Sequence, residues 1–356
     1  MPPQPDDLGT RATKMDTWSN IQATGLTPLY ESQDAMMDVV FIHGIAGHPY
    51  RTWASSPSPN HHTPGPNEVM WLAGSSPQAH QTPSSNIIEV SESDSGYWPA
   101  QLVPTAIPNS RVLTYGYDVE IRHHFPLHPH IAWHDHAKGL VVSLEAARHT
   151  EDEKTRPIIF IAHSLGGIII KEALVYTRGL SAKSRGSLSH IFDSTKTVLF
   201  FGTPHRAVDL TEILHDVSRV IGFRINPGVL HAFGPESDWL KNLKEDFTKI
   251  CKEENWTIYS FLEGSASPTL NRKIVENHSA YLDEPAVEIA VPIWSDHGGM
   301  CRFSGLDDPE YRKVEAALCH IVGMIKSDGR SVSGTESSPL PPCLSVRDAR
   351  VTVTEH

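Results

Sequence analysis

Ser164 stands in Ala162-His163-Ser164-Leu165-Gly166-Gly167, directly after the apolar run Ile158-Ile159-Phe160-Ile161-Ala162. A serine hydroxyl is a poor nucleophile until a neighbouring base takes its proton and fixed donors meet the negative charge that develops. The local pattern is that of G-x-S-x-G, in which a strand turns abruptly into a helix and exposes the serine. Small residues are needed there because bulk would strike neighbouring backbone, and the turn holds the serine in a strained conformation. Ala162 adds one methyl to the strict motif. The following helix directs its N-terminal N–H groups at the same spot. A glycine-rich helix start with an incidental serine is the plain alternative, and the strand–turn–helix context argues against it.

Acyl transfer places charge on a carbonyl oxygen, which two backbone N–H groups usually meet. One is expected from Leu165, the residue after the nucleophile, and the other from the loop after an earlier strand. His43-Gly44-Ile45-Ala46-Gly47 follows Asp38–Ile42 and offers the N–H of Ile45. The loop is no phosphate cradle, since no Gly-Lys-Ser/Thr follows.

In hydrolases with this turn the order along the chain is serine, acid, histidine. His297, in Trp294-Ser295-Asp296-His297-Gly298-Gly299, is the strongest candidate base, ahead of His278 and His231. The acid should end a strand between the two. Glu263 closes Thr257–Leu262 and precedes Gly264, whereas Asp238, Asp283 and Glu284 read as helix-cap or loop acids. Glu263 would accept the ring N–H of His297 and fix its tautomer.

These residues need a scaffold. Asp38–Ile42, Arg111–Tyr115, Ile158–Ala162, Thr197–Phe201 and Trp256–Leu262 read as strands, Leu29-Tyr30 as a short one, and Lys273–Val275 as the start of another. Continuous rather than alternating apolar runs imply strands buried on both faces. Helices are expected over His134–Ala147, Ile168–Arg178, Asp238–Glu253 and Pro309–Ile325. The alternation predicts an α/β-hydrolase fold: a mostly parallel central sheet with helices on both faces. Residues 1–24 read as a loose lead-in, 25–326 as the hydrolase domain, 55–95 as a polar insertion with a small apolar anchor at Val69–Leu72, and 327–356 as a disordered tail.

Bulk properties narrow the partners. The chain of 356 residues carries a formal charge of −12, which with no clustered Lys and Arg argues against nucleic acid. Four cysteines without a CxxC pair indicate neither a disulfide framework nor a zinc site. Six histidines lie between His123 and His136 but match no metal-ligand spacing, so no metal or organic cofactor is expected. Tyr115–Asp118 reads as a turn beside the site and Thr203-Pro204-His205 as pocket wall. The N-terminus lacks the pattern of a secretory signal, and no apolar run is long enough to span a bilayer, which points to an intracellular protein.

Taken together, Asp38–Gly44, Thr114–Asp118, Arg156–Gly167, Phe200–His205, Ser279-Ala280 and Asp296–Phe303 resemble the serine-active-site-containing protein family, lipase-like serine esterases. Similar domains stand at the N-terminus of fungal NLR-like receptors. The resemblance spans residues 25 to 325. It implies turnover of lipid or other esters and, in some members, association with mitochondria, endoplasmic reticulum or membrane surfaces. The 55–95 insertion and the absence of a receptor domain after residue 325 depart from it. The residues fit hydrolysis through an acyl-enzyme. A lipid transacylase would use the same set, and a non-catalytic signalling or binding module would not need it.

Overall fold

The computed structural model describes residues 13–14, 21–45, 47–55, 96–117, 129–180, 188–206, 210–221 and 238–332. Among these, eight strands form one sheet: β1 (Thr13–Lys14), β2 (Gly25–Glu31), β3 (Met37–Ile42), β4 (Ser110–Gly116), β5 (Ile158–His163), β6 (Thr195–Phe201), β7 (Ile258–Glu263) and β8 (Glu288–Ile293). Their spatial order is β1-β2-β4-β3-β5-β6-β7-β8. The pairs β1/β2 and β2/β4 are antiparallel, and every other pair is parallel. The helices are α1 (Trp98–Gln101), α2 (Val103–Ala106), α3 (Pro129–Ala146), α4 (Glu151–Thr155), α5 (Gly166–Gly179), α6 (Ser189–Ser194), α7 (Leu210–Ile221), α8 (Asp238–Glu253), α9 (Asn277–Ala280) and α10 (Pro309–Val332). This is the α/β-hydrolase architecture that the alternation of elements implies.

Every residue of β3 and β5 is buried, as expected for parallel strands covered on both sides. Alternate side chains enter two cores. Val40, Ile42, Phe160 and Ala162 pack with Ala137, Leu140 and Leu144 of α3, Ile169 and Leu174 of α5, and Phe247 of α8. Val39, Phe41, Ile159 and Ile161 pack with Trp98, Val103 and the α10 residues Tyr311, Val314 and Leu318. Two cores on one sheet lock the strand register, because a one-residue slip would exchange every side chain between faces.

At the N-terminal ends of the central strands, Asp38 accepts both Nε and Nη2 of Arg111, at 2.9 and 2.8 Å, and Nη1 of Arg156 at 3.2 Å. It also accepts from Arg148. Arg148 in turn donates to the carbonyls of Lys154 and Arg156. The cluster ties β3 and β4 to the segments entering and leaving α4.

Some elements differ from the sequence reading. Lys273–Val275 forms no strand. The last strand is instead Glu288–Ile293, an edge strand whose residues up to Pro292 are half-buried or exposed. Helix α7 was not read from the pattern, although Leu210, Ile213, Leu214 and Val217 are buried at the spacing i, i+3, i+4, i+7. Helix α10 continues past Lys326 to Val332; extending an existing helix costs little compared with nucleating one. Residues 56–95, with Val69–Leu72, the lead-in residues 1–12 and 15–20, and the tail beyond 332 lie outside the described residues.

Candidate active site

The site lies at the C-terminal ends of β3, β5, β6 and β7, where open parallel sheets place their ligand crevices. Ser164 follows β5 with φ of 51°, the left-handed region that a residue other than glycine enters only when its surroundings enforce it. They do so here. The Ser164 N–H donates to the Phe201 carbonyl at 2.8 Å, and the Ser164 carbonyl accepts the Thr203 hydroxyl at 2.9 Å. A Cβ at Gly166 would stand 2.3 Å from the His43 carbonyl oxygen, and one at Gly44 would stand 2.7 Å from the Ser164 Cβ. Both glycines are therefore required by close backbone approach, and Gly44 brings the loop after β3 against the serine.

His297 Nε2 lies 3.0 Å from Ser164 Oγ, and its Nδ1 lies 2.8 Å from Glu263 Oε1. A carboxylate can only accept, so Nδ1 carries the ring proton and Nε2 offers its lone pair to the serine hydroxyl. Glu263 ends β7 and is buried. Its remaining acceptor capacity is filled by the N–H groups of Ile274 at 3.0 Å and Val275 at 2.7 Å. The segment expected as a strand thus spends its backbone donors on the acid.

The loop carrying His297 is pinned at both ends. Gly264 N–H donates to the Ile293 carbonyl at 2.7 Å before it, and the Trp98 indole donates to the Cys301 carbonyl at 2.9 Å after it. In the middle, Asp296 Oδ1 accepts the Gly299 N–H at 2.8 Å, and the carbonyl of His297 lies 2.9 Å from His163 Nε2. Burial, and next the neighbouring His297, hold His163 well below the usual histidine range.

Ile45 and Leu165 are both buried, flanking the serine on the loop after β3 and at the start of α5. The β3 loop is stiffened by His43. Its Nδ1 donates to the Gly44 carbonyl at 2.8 Å, its Nε2 accepts the Tyr117 N–H at 3.4 Å, and its carbonyl accepts the Tyr117 hydroxyl at 2.8 Å. The two rings stack with centroids 4.4 Å apart. Burial lowers the His43 pKa to about 4, so the ring stays neutral.

The other sequence candidates fall elsewhere. His278 is exposed on α9, Asp238 opens α8, Asp283 pairs with Arg206 at 2.7 Å, and Glu284 pairs with Lys252 at 2.7 Å. Thr203 supports the serine backbone, and His205 lies buried 3.2 Å from Lys171 Nζ. His231, Asp118 and the first histidines of the His-rich stretch lie outside the described residues. No group of three potential metal ligands occurs among the described residues, and no described helix is long and apolar enough to cross a membrane. Sequence reasoning placed Tyr117 beside the site, where it does pack on His43, but missed the part played by His163 and by the N–H groups of Ile274 and Val275. His163 occupies a variable position of the motif, and backbone donors carry no side-chain signal.

No protein-family model matches the chain. It is similar to the protein SERAC1 of Bos taurus, with 26% identity over 289 residues that cover 78% of this chain and 38% of that protein. SERAC1 of Homo sapiens is 24% identical over 285 residues, again 78% of this chain and 38% of the relative. The chain therefore spans well under half the length of these relatives. Among solved structures, esterase B from Lactobacillus rhamnosis aligns with a TM-score of 0.47 and 12% identity over 87% of this chain and 84% of that one. Carboxylesterase CesB from Bacillus subtilis aligns with a TM-score of 0.38 and 11% identity over 88% of this chain and 93% of that one.

Proposed function

We propose that this protein is a serine hydrolase that cleaves carboxylic esters, lipid esters among them, through an acyl-enzyme. The observation that carries the reading is the hydrogen-bonded series Ser164 Oγ, His297, Glu263, at 3.0 and 2.8 Å, ending on a serine at φ 51°. In this reading His297 Nε2 takes the hydroxyl proton as Ser164 Oγ attacks the ester carbonyl. The N–H groups of Ile45 and Leu165 hold the oxyanion, and Glu263 stabilises the imidazolium. Collapse of the tetrahedral intermediate breaks the ester C–O bond, and His297 returns its proton to the departing alcohol. Water then attacks the acyl-enzyme with His297 again as base, releasing the acid and restoring Ser164. Every proton moves between groups of this chain, substrate and water, so the reading assigns no cofactor.

The test is labelling of the purified protein with a fluorophosphonate probe beside Ser164→Ala, followed by turnover of p-nitrophenyl esters of graded chain length. Labelling of the parent and loss in the variant are expected. A folded parent that neither labels nor turns over any ester overturns the reading.

A further inference from the structure

We propose that His163 is a positioning residue for His297, setting the base by donating its Nε2–H to the His297 backbone carbonyl. The inference rests on the proposed roles of Ser164 and His297. His163 is the last residue of β5, so strand alternation sends its side chain with Ile159 and Ile161 into the core beneath Trp53. From there the ring reaches across to the base loop. Its Nε2 is 2.9 Å from the His297 carbonyl, and the two imidazoles lie with centroids 4.7 Å apart, tilted by 43°. A carbonyl only accepts, so Nε2 carries the proton. The ring is also close to the loop after β3, since a Cβ at Gly44 would meet His163 Nδ1 at 3.3 Å. One side chain, carried by the residue before the nucleophile, thus adjoins both the loop that offers Ile45 N–H and the base.

Neighbouring hydrogen bonds hold the loop through Ser295, Asp296 and Gly299, whereas the bond from His163 grips His297 itself. Glu263 fixes the ring from Nδ1, but rotation about that single hydrogen bond would swing Nε2 away from Ser164. Holding the carbonyl of the same residue fixes the backbone from which the ring projects. Misplacement of a reacting group by about 1 Å can cost about 100-fold in rate, so a lost anchor should appear in kcat. Substrate affinity should be little altered, because His163 is buried behind the reacting groups.

The experiment compares the parent with His163→Leu, which removes the donor, and His163→Gln, whose amide nitrogen stands near the position of Nε2. Steady-state kinetics on a p-nitrophenyl ester and fluorophosphonate labelling rates are measured on proteins checked by thermal melting. For His163→Leu, kcat and labelling rate should fall between about 10- and 100-fold, with KM within about three-fold and the pH profile unmoved. His163→Gln should recover most of the loss. An active parent whose folded Leu variant retains kcat overturns this inference alone, as does a Gln variant no better than Leu. A parent inert to probe and ester overturns the hydrolase reading and this inference with it. If His163→Leu does not fold, His163→Asn, one bond too short to reach the carbonyl, takes its place and must show the same loss relative to Gln.

Discussion

Glu263 illustrates how much of a site one residue can organise. Its carboxylate accepts the N–H groups of Ile274 and Val275 and the Nδ1 proton of His297, all inside the protein. Two backbone donors orient the carboxylate before it meets the imidazole, and hydrogen bonds to an anionic acceptor are stronger than neutral ones. Replacing Glu263 by Gln keeps the size but turns one oxygen into an N–H donor. That donor would face either a backbone N–H or the ring nitrogen of His297. In the second case the ring must present Nδ1 as acceptor and Nε2–H to Ser164, the wrong tautomer for a base. The expected result for Glu263→Gln is a loss in kcat of about 1,000- to 10,000-fold, the scale of the corresponding change in serine proteases. A melting temperature close to the parent's and a slowed fluorophosphonate reaction would accompany it. A Gln variant as fast as the parent would move the acid elsewhere.

At the scale of elements, legibility in the sequence follows burial. Strands β3, β5 and β6 lie in the middle of the sheet, so β3, β5 and the second half of β6 are apolar almost without interruption and stand out. Strand β8 lies at the edge and mixes Glu288, Ile289, Ala290, Val291 and Pro292 with little pattern, because only its last residue, Ile293, is buried. The turn at Ser164, the carboxylate at the end of β7 and the loop of His297 stood out in the sequence because each joins a distinctive residue to the end of a strand. The hydrogen bonds that hold them did not, since they run through backbone groups of distant segments. Helix α5 adds a feature with no sequence signature. Lys171 is buried on it, facing His205 from the loop after β6, with Lys244 and Cys251 of α8 nearby. Burial, reinforced by Lys244, lowers the Lys171 pKa from 10.5 to about 7. Between about pH 7 and the ordinary lysine pKa of about 10.4 the unfolded chain binds the proton and the folded one does not, so stability rises with pH across that window. Below it both states are charged, and the cost of burying the ammonium is fully present. The slope from this one group is at most about 1.4 kcal/mol per pH unit. Lys171→Met should therefore be stabilised relative to the parent most at pH 6 to 7, with the difference shrinking toward pH 10. Urea denaturation at four pH values measures it. A difference independent of pH would mean that Lys171 keeps its charge when buried.

The whole molecule separates its two kinds of polar group by the direction of the sheet. Ser164, Glu263 and the loop after β3 gather at the C-terminal ends of the strands. Asp38, Arg111, Arg148 and Arg156 gather at the opposite ends. The first set carries the hydrogen-bonded series from Ser164 through His297 to Glu263. The second is saturated: each Asp38 oxygen accepts from more than one guanidinium, and Arg111 also reaches the Ala147 carbonyl at 2.9 Å and Glu153 at 3.4 Å. Such a cluster clamps the base of the fold, but its net worth against an apolar replacement is small, because the charges give up their hydration. Removing one member is different, since three arginines would then share a buried space without their common anion. Asp38→Ala is expected to lower the unfolding free energy by about 3–5 kcal/mol, the usual cost of an orphaned buried charge. The fraction that remains folded should label with fluorophosphonate at the parent's rate, because the six-residue length of β3, about 20 Å of extended chain, separates Asp38 from the serine. Denaturation monitored by fluorescence and labelling normalised to folded protein distinguish the two effects. Loss of labelling in fully folded Asp38→Ala would show that the two ends of the sheet are coupled, and unchanged stability would show that the arginines find water or other partners.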